Sequence, residues 1–533
     1  MKHKYQIVKE KKIRKSIIFF VILFVVIAIL GYLVFKRTDN QTNLDKDNQT
    51  TKDSILGRTD LSNVSIIIKK DSSESHLDEI EKILTSPFKI IKKSSWTDPR
   101  GLFPIFAFNF PEHSKNHTNA LKVIERGGIN ILINGSFGLM PEPYALKTAF
   151  ENIGDSKLKW LIILANDCKN NFIYNNSNDS INRNIKTFIQ EFYNPTYTYG
   201  WYLWDEPGPN EVVCPNSDMT FNDDFEDINN MSKQIRGDSI QNSMLDYVNL
   251  MPNYWSGTPN VRSYEKYIDE YFSSQEFKPR VLSVDHYPFV GETYGGFRRN
   301  YYSNLEILRK KSLEYNVPLW VVVLSSGHTP YKNPSFEEIS FQVYSALAYG
   351  AKGIGYYLYS KSWEKNGYTS WILENYVDDP TVADSLHGPL FIPVQNLNSA
   401  VQILGKILNE LESVDIIHSS DYPNKQADIT PSLFKRNASN SFLKEIYNND
   451  NSNADSKILI GVFKNKNEAA QGSRYLIVVN KDVSVHSKTV IKLDREYKVY
   501  KVSKETGEKR FIANTDNISS VISPGSGELF YIE

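Results

Sequence analysis

Two adjacent carboxyl residues, Asp205 and Glu206, end the aromatic run Tyr199-Gly200-Trp201-Tyr202-Leu203-Trp204 and lead into Pro207. An ordinary carboxyl group is ionised at neutral pH and has no proton to give. Rings such as Trp201, Tyr202 and Trp204 keep water from a neighbouring carboxylate, which disfavours the charged form and raises the pKa. A carboxyl group so tuned serves as a general acid. An N-cap or a loop salt bridge would use the same two residues without chemistry. A third carboxylate, Asp285, follows Val281-Leu282-Ser283-Val284 and opens Asp285-His286-Tyr287-Pro288-Phe289. Softer candidates follow other apolar runs: Asn134, then Asn253 with Tyr254, then Tyr359 and Trp363. No Ser-His-Asp order, phosphate loop or metal-ligand cluster competes with the carboxyl groups, so no cofactor is expected. Cys168 and Cys214 fit no zinc spacing.

These residues need elements to hold them. Short apolar runs recur at 104–110, 129–134, 159–165, 199–204, 247–251, 281–285, 319–324 and 353–358. They are apolar at consecutive positions, as strands buried on both faces are. Helical patterns separate them at 119–126, 181–193, 224–235, 261–272, 302–315 and 336–349, and a last one at 394–411 would close a ring. Eight strands alternating with helices predict an α/β fold, a (β/α)8 TIM barrel over 61–420 with a lead-in before its first strand. No Gly-rich loop follows the first run, which disfavours a doubly wound sheet. In a barrel the chemistry sits at the C-terminal strand ends. Asp205 and Glu206 would end the fourth strand, and Asp285 the sixth.

In that setting, Tyr199-Gly200-Trp201-Tyr202-Leu203-Trp204-Asp205-Glu206-Pro207 resembles the acid/base strand of barrel glycoside hydrolases. The retaining clan A enzymes end this strand in Asn-Glu, and the resemblance implies that Glu206 is the acid/base. Asp205 departs from their Asn. Its pairing with Glu206 is similar instead to the hexosaminidase type, in which the Asp steers the substrate's own acetamido group. Strand seven departs further. It runs Trp320-Val321-Val322-Val323-Leu324 into Ser325-Ser326-Gly327, with no carboxylate where clan A places its nucleophile. The resemblance implies hydrolysis of O-glycosidic bonds, with a carbohydrate as partner. Asn134, Tyr254, His286, Tyr287, Tyr359 and Trp363 would then line the sugar. Asp285 is the favoured partner of Glu206, Asp205 as an orienting group is the second choice, and the absence of any catalytic partner is the third. A glycan-binding barrel without catalysis and a structural cell-envelope protein remain as alternatives.

The chain has 533 residues, 41% hydrophobic and 23% charged, enough apolar material for a large core. Residues 1–37 carry nine Lys and Arg against one acid, Glu10, while the net charge is −1, so the remainder is acidic and no nucleic-acid partner is expected. Residues 16–35 are apolar and uncharged. As a helix they would span about 30 Å, a bilayer core. A signal peptide's apolar region is shorter, about 7–15 residues, and ends at a small-residue cleavage site that is missing here. The run is read as a membrane anchor. Seven basic residues before it and two after it put the basic segment 1–15 in the cytoplasm and the body outside. Residues 36–60 read as a flexible stalk. After 420 helical patterning stops, and strand-like runs at 456–462, 473–480, 488–493, 497–502, 518–522 and 528–532 predict a C-terminal antiparallel β-sandwich over 421–533. The Asn-, Asp- and Ser-rich tract 437–454 is expected to be a loop.

Overall fold

Strands β1 (Ile105–Ala107), β2 (Ile131–Ile133), β3 (Lys159–Ile163), β4 (Thr198–Asp205), β5 (Leu245–Leu250), β6 (Leu282–Asp285), β7 (Leu319–Leu324) and β8 (Ala351–Tyr357) pair in sequence order to form a closed barrel. Every pairing is parallel, and β1 closes on β8. The computed structural model of the chain describes residues 98–108, 117–133, 156–164, 186–207, 224–237, 241–254, 261–360, 372–373, 387–419, 442–448, 457–465 and 473–533. The apolar run 16–35, the stalk, the lead-in, Asn134 and Trp363 lie outside these residues. No described helix is long and apolar enough to cross a membrane.

The eight apolar runs are strands because each is buried on both faces. One set of side chains points into the barrel, where Phe106, Tyr202, Tyr247 and Trp320 form an aromatic stack. Phe106 lies 5.2 Å from Trp320, and Tyr202 lies 4.8 Å from Tyr247, centroid to centroid. Each fully buried ring of this kind contributes about 1.5–3 kcal/mol. Trp320 is thus core, as its place near the start of its strand suggests. The other set, with Trp201 and Leu203 among it, meets the helices.

Those helices are α1 (His117–Arg126), α2 (Asp224–Gly237), α3 (Val261–Ser274), α4 (Tyr301–Tyr315), α5 (Phe336–Ala348) and α6 (Phe391–Asn409). The start of α5 is written locally: Ser335 accepts from the Glu338 amide, and the Glu338 carboxylate accepts from the Ser335 amide. Helix α6 closes the ring by hydrogen bonds back to its beginning, from Gln402 to the Phe103 carbonyl and from Asn398 to the Gly127 carbonyl. It begins three residues before the expected start at Val394. Pro393 falls in its first turn, where a missing N–H breaks no helical bond.

Gly200 is required where β4 meets β5. A Cβ there would lie 2.1 Å from the Leu245 carbonyl oxygen, which is backbone and cannot swing aside. Gly200→Ala is therefore expected to destabilise the protein by about 1–3 kcal/mol or more, as overpacking does, read as a lower urea midpoint. An unchanged midpoint would show that the two strands are not in this register.

The remaining strands, β9 (Leu411–His418), β10 (Leu443–Asn448), β11 (Ile458–Asn465), β12 (Arg474–Asn480), β13 (Ser487–Val502), β14 (Lys509–Ile522) and β15 (Gly527–Ile532), form one seven-stranded antiparallel sheet. One of its faces joins the outer core of the barrel through Leu459, Phe463, Tyr475 and Ile477. The other face gathers Ile458, Ile460, Val462, Leu476 and Phe530 into a core of its own. The sheet begins at Leu411, inside the span read from the sequence as barrel. Strand β10 lies within the tract expected to be a loop: Leu443 and Ile446 pair with Leu493 and Ile491, and this pairing outweighs the polar composition around them. The expected strands 488–493 and 497–502 are one strand, because Asp494-Arg495-Glu496 form an irregularity in the ladder rather than a turn.

Candidate active site

Asp205 closes β4 and Asp285 closes β6, with β5 between them. Alternation alone would send Asp205 away from Tyr202, three residues earlier. A register shift between Tyr202 and Trp204 changes the parity. Tyr202 and Asp205 then share the inner face, and the Tyr202 hydroxyl donates to Asp205 Oδ1 at 2.6 Å. Bulges of this kind re-aim side chains at barrel rims.

Glu206 adopts a left-handed backbone, with φ 49°, a conformation that costs a non-glycine residue about 1–2 kcal/mol. Pro207 disfavours the right-handed alternative. The turn is held from both sides. The Glu206 amide donates to the Asn249 carbonyl at 2.8 Å. The Tyr267 hydroxyl on α3 donates to the Pro207 carbonyl at 2.8 Å and accepts from the Met251 amide at 3.2 Å. Through these bonds α3 ties the exits of β4 and β5 together.

Asn249, on β5, connects the carboxylates. Its Nδ2 donates to Asp205 Oδ1 at 3.0 Å and to Asp285 Oδ1 at 2.8 Å. Its own oxygen accepts from Ser283 at 3.1 Å, and Ser283 bonds Tyr247 at 2.8 Å. One amide nitrogen reaching both acids holds their oxygens within two hydrogen-bond lengths. The bonds run without a break from Asp205 through Asn249 to Asp285 and through Ser283 to Tyr247, and they restrain the buried side chains together.

All three acids are shifted upward. Burial raises Asp205 most, the Asp285 charge adds to it, and the Tyr202 and Asn249 bonds oppose it. Burial also raises Asp285, opposed by bonds from Asn249 and Tyr287. Glu206 is raised furthest, up to about 9, by the protein crowded around it, then by the Asp285 charge, then by that of Asp205. Its side chain nonetheless keeps an open face to solvent. Water on that face opposes part of the rise, and of the three acids Glu206 is still the one raised furthest. Tyr202→Phe removes a donor that favours ionised Asp205, so Asp205 should titrate at higher pH. Carboxyl-carbon NMR of labelled aspartate reads the shift, and an unmoved or lowered titration would contradict the bond.

Of the candidate sugar contacts, Tyr254 and Tyr287 stand beside Asp285. Its charge raises the pKa of both hydroxyls, after burial. Tyr287 stacks on Tyr357 at 5.9 Å and meets Tyr331 edge-on at 5.2 Å, and His328 lies 4.8 Å from Tyr331. These rings form an aromatic wall. His286 and Tyr359 are not part of it. His286 alternates outward between Asp285 and Tyr287, bonds Asn304 of α4 at 2.6 Å, and is held neutral by burial. Tyr359 is buried in the outer core against Tyr356. Asn249, Tyr331 and Arg298 were not singled out by the sequence. An Asn and a Ser at inward positions of β5 and β6 are the signal that points to the Asn249 network. At the end of β7, where clan A carries its nucleophile, buried Ser325 bonds the Leu358 carbonyl at 2.9 Å. Among the described residues no group of three His, Cys, Asp or Glu side chains is placed to hold a metal ion.

No protein-family model and no curated protein sequence matches the chain. Solved structures do. A β-galactosidase from Bacillus circulans sp. alkalophilus is similar at TM-score 0.52 and 9% identity, over 81% of this chain and 99% of that one. Gan42B, a GH42 β-galactosidase from G. stearothermophilus, is similar at TM-score 0.51 and 8% identity, over 82% and 99%. At these identities the likeness is one of fold: the chain has the eight-stranded parallel barrel seen in glycoside hydrolases.

Proposed function

We propose that the protein is a glycoside hydrolase that cleaves O-glycosidic bonds of a glycan outside the cytoplasm, with Glu206 as general acid/base and Asp285 as its carboxylate partner. One observation carries the reading: three carboxyl groups meet at the C-terminal ends of β4 and β6, and burial and neighbouring charge raise Glu206 furthest, with two aspartates beside it. Glu206 gives its proton to the departing glycosidic oxygen. Asp285 stabilises positive charge at the sugar, attacks it or activates water. Asp205, gripped by Tyr202 and Asn249, orients the group that reacts.

The activity–pH profile should be a bell. Activity rises as the raised aspartates ionise and falls as Glu206 loses its proton, and both limbs report the coupled cluster rather than single residues. A screen of chromogenic glycosides against the full-length protein tests the reading, with Glu206→Gln as control. Binding of sugars without turnover of any of them would favour the glycan-binding alternative, for which the missing carboxylate on β7 speaks.

The anchor reading belongs to the same proposal. Residues 16–35 would hold the body outside the membrane, and the full-length protein should remain in the membrane pellet after alkaline carbonate washing. Release into the supernatant would overturn it.

A further inference from the structure

Arg298 follows the β6 loop and lies over the Tyr254 ring, its guanidinium carbon 3.7 Å from the ring centroid. Its second aromatic neighbour is Tyr331, at 5.3 Å. The side chain is half-buried, and Nε is enclosed without a hydrogen-bond partner. Of five N–H donors, one makes a long bond, Nη2 to the Tyr331 hydroxyl at 3.5 Å. No carboxylate among the described residues pairs with it. This is unusual here: Arg100, Arg236 and Arg309 all hold acids at 2.7–2.8 Å. A half-buried guanidinium ordinarily has an anion, because desolvating an unpaired charge is costly. The two rings offset part of that cost through cation–π attraction, about 0.5–2 kcal/mol, and they also hold the planar fork in place.

The position matters as much as the charge. Tyr254 and Tyr331 share a hydrogen bond at 2.8 Å, and the charge of Asp285 acts on both. The guanidinium is therefore separated from the carboxylate cluster by one aromatic ring. The ionised aspartates of the cluster repel a negatively charged substrate, and a fixed cation beside them reverses that preference locally. We propose that Arg298 binds an anionic substituent of the glycan, and that the substrate contains a uronic acid whose planar carboxylate pairs with the guanidinium fork. This rests on the reading of the site as a glycan site, though not on its being catalytic.

The test separates the two. Full-length Glu206→Gln protein is titrated with three probes that differ only at carbon six: methyl β-glucuronide, methyl β-glucoside and methyl β-glucoside 6-sulfate, with affinity read by saturation-transfer NMR. The glucuronide is expected to bind at least tenfold more tightly than the glucoside, with a preference that weakens as salt rises. Arg298→Gln should abolish that preference. Arg298→Lys, which retains charge without the fork, should reduce it several-fold and serves as the readout if the Gln variant does not fold. Equal binding of glucuronide and glucoside, or a preference that survives both substitutions, would overturn the proposal. Tighter binding of the sulfate would overturn the carboxylate assignment. No turnover is measured, so failure of the hydrolase reading leaves this result intact, and failure here leaves the hydrolase reading standing.

Discussion

Glu206→Gln is expected to lower turnover of an unactivated glycoside by about 10²–10⁴, the range that a positioned general acid contributes, with little change in substrate affinity. Gln keeps the length and hydrogen-bonding shape of Glu but has no titrating proton. The loss should be smaller for aryl glycosides with a good leaving group, which depart without protonation. The alkaline limb of the pH profile should vanish with the residue, because in the proposed mechanism Glu206, raised by burial and by Asp285 and Asp205, is the group whose ionisation would end activity. Unchanged turnover, or a surviving alkaline limb, would place the acid elsewhere.

Asp285→Asn is expected to cost about 10² or more in kcat, and more than Asp205→Asn does. The charge of Asp285 raises Glu206 more than that of Asp205 does, which favours Asp285 as its partner. Each aspartate accepts from two side chains, Asp205 from Tyr202 and Asn249 and Asp285 from Asn249 and Tyr287, so the difference expected between the variants rests on their charge at Glu206. Removing one aspartate's charge also lowers the Glu206 pKa, so the alkaline limb should move to lower pH in both variants, further in Asp285→Asn. A substrate carrying an acetamido group, with Asp205→Asn the more damaging change, would reverse the assignment and make the reaction substrate-assisted.

Asn249 explains why neither aspartate acts alone. It donates to both, so a substitution at either end releases a donor in the middle, and the two effects should not be additive in a double mutant. Tyr202 and Tyr247 sit one layer deeper and hold this unit against the aromatic interior of the barrel.

The sequence by itself determined the barrel and which carboxyl residues would share its mouth. Eight apolar runs, too continuous for half-exposed strands, can be satisfied only by burial on both faces, and helical periods of the right length stand between most of them. Once those strands close in order, the ends of the fourth and sixth must share one mouth, which is why Asp205, Glu206 and Asp285 were legible as a group. Only the tertiary structure decided how they meet. Parity along a strand predicts facing only while the register is regular, and the shift between Tyr202 and Trp204 turns Asp205 to the side that simple alternation denies it. His286 and Tyr287 are neighbours with equal claims from the sequence, yet one faces α4 and the other the mouth. Tyr359 follows a strand end as promisingly as Tyr254 does, yet it is buried in the outer core. Asn249 carries no motif at all, and its importance comes from two partners 44 and 36 residues away that adjacent strands bring within reach of one amide. Composition and period act locally along the chain. The network and the bulge depend on stagger between strands, which exists only after the barrel has closed.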